Sequence, residues 1–181
     1  MSDPEHEKSD GQRDAERGLR ALIHEVVDRD IPYLGTCYGL GILAQHLGAV
    51  VSKERYGEAV GSVTRTVTAE GKCDPLLAGL PETFRAFCGH TEACQELPHC
   101  AALLVRSDTC PVQMVRVGRN VYATQFHTEL DRAGIVARID AYKFGGYFPP
   151  EEAEVLKERI RDEQVHVPTL VLERFARRCK R

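Results

Sequence analysis

One cysteine sits between two glycines, in Gly35-Thr36-Cys37-Tyr38-Gly39, directly after the apolar run Ile31-Pro32-Tyr33-Leu34. That run reads as a buried strand and Leu40 to Leu47 as a helix, so Cys37 falls on a sharp strand-to-helix turn. An elbow of this kind holds a nucleophile out above a sheet, and flanking glycines permit its tight backbone. The N-terminus of the following helix favours the thiolate, the reactive form of cysteine.

The rest of the pattern extends this unit into an α/β chain. From Gln12 the spacing is helical, with Leu19, Leu22, Ile23, Val26 and Val27 on one face. Gly48-Ala49-Val50-Val51 suggests a turn into a second strand. Ala59 to Thr68 alternates β-branched residues and reads as an exposed antiparallel strand. Asp74-Pro75 and Leu80-Pro81 mark a loop or short helical turn. Phe84–Phe87, Ala101–Arg106, Val112–Val117 and Val121–Phe126 are further strands, the last two joined by a hairpin turn at Gly118-Arg119-Asn120. Helices follow from about Arg132 to Lys143, from Glu151 to Gln164 and after Pro168. Gly145-Gly146 and Pro149-Pro150 interrupt them. The order implies an α/β core with an antiparallel extension.

A length of 181 residues fits one domain, with residues 1–11 a loose polar N-terminus and 146–181 a helical C-terminal extension. A net charge of −3 gives no electrostatic case for nucleic acid or an anionic membrane. No apolar stretch approaches a membrane span, and Met1–Asp14 lacks the apolar core of a signal peptide, so a cytoplasmic location is expected. The seven cysteines are odd in number and without compact disulfide spacing, and are expected as free thiols. Cys88, Cys94, Cys100 and Cys110 with His90 and His99 contain no C-x-x-C pair, so no metal site and no cofactor are assigned.

A second motif, Gln125-Phe126-His127-Thr128-Glu129, ends another apolar run. His127 and Glu129 are two residues apart and share a face in extended backbone. With Cys37 they look like a Cys-His-Glu hydrolytic site: nucleophile, general base and orienting carboxylate. Each residue alone has a plainer reading, Cys37 as a small buried hydrophobe and His127 as a structural histidine. The backbone N–H of Tyr38 is placed to donate to an oxyanion, and Gly39 serves the geometry of the turn. Gly35 is read as a packing residue.

These motifs resemble the class I (triad) glutamine amidotransferase family, which includes the glutaminase part of GMP synthase. Gly35–Gly39 matches the family's nucleophile elbow, and Gln125–Glu129 its His-x-Glu motif. Phe87-Cys88-Gly89-His90-Thr91-Glu92 matches its histidine-containing substrate-side loop, and Tyr56-Gly57-Glu58 its Tyr-Gly segment. The resemblance implies a flavodoxin-like three-layer core. It implies Cys37, His127 and Glu129 as catalytic residues, and Tyr38, Gly39 and His90 on the substrate and oxyanion side. It also implies L-glutamine as substrate, with either ammonia supplied to an unknown acceptor in a separate synthetase subunit or free glutaminase activity. Gly41 stands where the family usually has Gln, and Thr128 where it usually has Pro. The resemblance further implies that the family's opening βαβ segment, with its glycine-rich oxyanion loop, is lacking, so the expectation is an N-terminally truncated domain. A non-catalytic binding protein and a γ-glutamyl peptide hydrolase on the same scaffold are the alternative readings.

Overall fold

A computed structural model describes residues 10–145 and 148–180. The expected loose segment 1–11 lies outside them except for Asp10 and Gly11, and so does Gly146 of the expected break. The order is α1 (Asp10–Asp28), β1 (Tyr33–Thr36), α2 (Tyr38–His46), β2 (Val51–Ser52), β3 (Glu58–Val67), α3 (Ala69–Lys72), β4 (Thr83–His90), β5 (Ala93–Cys94), β6 (Ala101–Arg106), β7 (Met114–Val117), β8 (Val121–Thr124), α4 (Arg132–Tyr142), a 3₁₀ turn (Pro150–Glu152), α5 (Ala153–Arg159) and α6 (Val167–Arg178).

Six strands form one mixed sheet in the order β1-β8-β7-β6-β3-β4, while β2 and β5 form a separate pair. Only β1 and β8 run parallel; the other neighbours in the large sheet are antiparallel. Period-2 alternation divides the sheet residues between two helical layers. Val115, Val117, Val121 and Ala123 face α1 and α2, joining Ile23, Val26, Leu40 and Leu43. Met114, Tyr122 and Val105 face the other way, toward Val167 and Val171 of α6. A third cluster packs Ile135 and Ile139 of α4 and Leu156 of α5 against Phe87 of β4. This is the expected three-layer, flavodoxin-like α/β arrangement.

The sheet also curls. The N–H of His127, just beyond β8, donates to the carbonyl of Phe87 in β4 at 3.1 Å, although those strands lie far apart in the sheet order. The curl carries the end of β4 to the end of β8.

The β7–β8 hairpin is tied to the end of α1. Asp30 accepts from the N–H groups of Arg119 and Asn120 and from the Asn120 amide, each at 3.0 Å. Gly118 is required at this turn: its φ is +57°, and a Cβ would stand 2.6 Å from Asp30 Oδ1.

Three expectations change. Leu22 stands at the flank of the α1 stripe and is 52% exposed, while Ile23 and Val26 are buried. The helix expected over Glu151–Gln164 is a 3₁₀ turn and the shorter α5. It ends where Ile160 turns into the core, and this turn lets Glu163 pair with Arg85 at 2.6 Å. The strand expected as exposed is β3, which lies inside the sheet between β6 and β4. Its charged residues Glu58 and Arg65 are buried against each other, with Arg65 Nη1–Glu58 Oε1 at 2.8 Å and Nη2–Oε2 at 2.9 Å. Ala59 and Thr64 remain exposed, while the buried ion pair gives a strand inside the sheet the polar pattern of an exposed one.

Candidate active site

Parallel pairing of β1 and β8 builds the site. Thr36 is in register with Thr124, so the next residues of each strand, Cys37 and Gln125, emerge together at the carboxyl ends. This is where open α/β sheets bind ligands. The Cys37 N–H donates to the Thr124 carbonyl at 2.7 Å. Cys37 is the N-cap of α2 and has φ 50° and ψ −97°, a conformation costly for a residue with a Cβ. The strain belongs to the elbow, which turns the chain from strand to helix at one residue. The first-turn amides of α2 face this end, the positive pole of the helix dipole.

The glycines on either side make room for a side chain. A Cβ on Gly35 would lie 2.3 Å from the Tyr33 hydroxyl, and one on Gly39 2.9 Å from it. The Tyr33 hydroxyl donates to the Gly39 carbonyl at 3.3 Å, so the ring braces both sides of the turn. Gly35 is thus a packing glycine, as expected from the sequence. Gly35→Ala is expected to destabilise the fold by about 1–3 kcal/mol through overpacking. Tyr33→Leu in the same chain should recover part of that loss in urea unfolding.

His127 is buried, and its Nδ1 lies 2.6 Å from Glu129 Oε1. Burial pushes the imidazole pKa down, but hydrogen bonds with Cys37 and Glu129 outweigh it and hold His127 above its ordinary value. Burial pushes the Glu129 carboxyl up, and the His127 hydrogen bond and charge bring it below the usual range. The imidazole therefore stands between a thiol and a carboxylate, an arrangement that can take a proton from sulfur and return it to a leaving group. The Arg138 guanidinium of α4 flanks this pair, 3.9 Å from Glu129 and 5.5 Å from the centre of the Tyr142 ring.

Cys37, Tyr38, His90, Gln125, His127 and Glu129 all line one open cleft of ≈ 610 Å³. Gly39 lies beneath it, beside Tyr33. His90 reaches the cleft, but its ring nitrogens are engaged elsewhere: Nε2 lies 3.0 Å from Glu58 and Nδ1 2.9 Å from the Glu92 carbonyl. Ser107, Thr109 and Gln113 also hydrogen-bond to Glu58. His90 thus couples the cleft wall to a buried polar network.

Three further thiols, Cys88, Cys94 and Cys110, are buried. Burial, aided by the Glu58 charge, pushes Cys88 up to about 12 and Cys110 up to about 11. Among the described residues no group of three His, Cys, Asp or Glu is arranged to hold a metal. No helix among them is long and apolar enough to cross a membrane.

Tyr33, Arg138 and the Gln125 side chain were not expected at the site from the sequence. For Gln125 a signal was present: it lies two residues before His127 and shares its face.

Fold and site together define an α/β protein with an elbow cysteine facing a His-Glu pair. The family model for class I glutamine amidotransferases matches residues 9–133. The chain belongs to that family. It is 34% identical over 105 residues to a glutamine-hydrolysing GMP synthase subunit of Natronomonas pharaonis, covering 58% of this chain and 55% of the relative. The corresponding subunit of Thermococcus kodakarensis is 32% identical over 111 residues, covering 61% of this chain and 57% of that one. The chain thus spans little more than half the length of these curated relatives. A crystal structure of a glutamine amidotransferase from Thermotoga maritima superposes with a TM-score of 0.73 at 27% identity, covering 90% of this chain and 68% of that one.

Proposed function

We propose that this chain hydrolyses the side-chain amide of L-glutamine through a thioester on Cys37 and releases ammonia to a separate synthetase subunit. The observation that carries the reading is His127 held between Cys37 and Glu129, with Nδ1 2.6 Å from the carboxylate.

Cys37 Sγ attacks the carboxamide carbon, and His127 takes the thiol proton. The tetrahedral oxyanion is met by the Tyr38 N–H at the start of α2. The C–N bond breaks as His127 returns the proton to the departing ammonia. Water, deprotonated by His127, then attacks the thioester, and the Cys37 sulfur leaves to give glutamate. Glu129 fixes the tautomer and stabilises the imidazolium in both halves. Tyr38 and His90 line the substrate and oxyanion side, Gly39 shapes the turn behind Tyr38, and His90 acts through its place in the Glu58 network.

The names of the relatives, glutamine-hydrolysing GMP synthase subunits, support a separate ammonia user. The test is product analysis after incubation with L-glutamine. Ammonia and glutamate in equal amounts are expected, with no release of glutamate from γ-glutamyl peptides. Peptide cleavage without ammonia release would replace this reading with a peptidase. Glu129→Gln is expected to lower kcat by on the order of 10²–10⁴ with KM little changed. A change confined to KM would contradict the orienting role.

A further inference from the structure

The Cys37 sulfur has a second polar neighbour besides His127. The Gln125 side-chain amide places Nε2 3.8 Å from Sγ, within range of an N–H···S hydrogen bond. Gln125 is only 4% exposed and lines the same cleft. Its backbone cannot drift: its N–H donates to the Gln113 carbonyl at 2.8 Å, while the preceding carbonyl, that of Thr124, accepts from the Cys37 N–H at 2.7 Å. Two strands in parallel register thus hold the amide and the sulfur side by side. Gly41, one turn into α2, brings no side chain to this cleft, and among the described residues lining it Gln125 alone carries a carboxamide.

We propose that the Gln125 amide is a catalytic hydrogen-bond donor to the Cys37 sulfur, holding its anionic form both before attack and as it departs from the thioester. The inference rests on the reading of Cys37 as the nucleophile and deepens it. An amide N–H donates whatever the state of its neighbours. His127 gives up its proton to ammonia in the first half-reaction and must recover one in the second. The donor from Gln125 is constant through both. Hydrogen bonds to charged groups are among the stronger ones.

The test reads the thiol directly and needs no turnover. Alkylation of Cys37 by iodoacetamide is followed across pH by peptide mass mapping, in the parent chain and in Gln125→Leu and Gln125→Glu. Leucine removes the donor at similar volume, and glutamate sets an acceptor in its place. In both variants the pH of half-maximal alkylation is expected to rise by about one unit or more, further in Gln125→Glu. The limiting rate at high pH should stay within a few-fold. If Gln125→Leu fails to fold, Gln125→Glu carries the test alone. Profiles that coincide with the parent in folded variants would overturn the proposal. Absence of glutaminase activity with a shifted alkylation profile would overturn the functional reading and leave this donor standing.

Discussion

Cys37→Ala is expected to reduce ammonia release from L-glutamine to the uncatalysed background, a loss of at least about 10⁴-fold. No other thiol stands where it could substitute. Cys88, Cys94 and Cys110 are buried, and burial raises the pKa of each above the ordinary thiol value. Cys73, Cys100 and Cys179 are exposed and do not line the cleft. Alanine at an elbow with φ 50° meets no more strain than cysteine does, so the variant should fold. An enzyme-coupled ammonia assay measures the loss. Undiminished release from Cys37→Ala would remove the thioester from the mechanism.

The second large effect concerns stability. Arg65→Met is expected to destabilise the fold by about 3–5 kcal/mol, because it strands the buried Glu58 carboxylate. Both side chains are almost wholly enclosed, at 0% and 1% exposure. Burial pushes the Glu58 carboxyl up, but hydrogen bonds from His90 and Arg65 and the Arg65 charge prevail and hold it well below the usual carboxylate range. The sign of the pH dependence follows. A depressed pKa stabilises the fold above the unfolded value of about 4.3, and that contribution is lost as pH falls through the folded one. In the variant the opposing effect of burial gains weight. The difference between parent and variant should be largest near neutrality and narrow below about pH 5. Urea unfolding at pH 7 and pH 4 measures both. An equal difference at the two values would mean that Arg65 contributes by packing alone.

Much of this molecule can be read from local signals. The elbow was visible because one strained turn needs small neighbours, and the strand and helix around it carry clear apolar periods. The Gly118 hairpin is marked by its turn residues, and α4 by its apolar spacing; the Asp131 side chain, which caps α4 by accepting from the Gly134 N–H at 2.7 Å, is seen only in the structure. The pairing of His127 with Glu129, 2.6 Å apart, was legible from their spacing. What escaped depends on contacts distant in sequence. Arg65 and Glu58 on β3 look like surface residues until β4 and the β6–β7 loop close over them. The engagement of His90 with Glu58 spans 32 residues, and the approach of Gln125 to Cys37 spans 88. The curl that joins β4 to His127 arises from the whole sheet, and no local pattern encodes it.

The most direct test of the central claim is labelling with a diazoketone analogue of glutamine, an electrophile that reacts only where glutamine binds beside an activated thiol. Intact mass and peptide mapping should find a single adduct, on Cys37, suppressed by excess L-glutamine and slowed severely in His127→Ala. No adduct, or label spread over the exposed Cys73, Cys100 and Cys179 without protection by glutamine, would contradict the account.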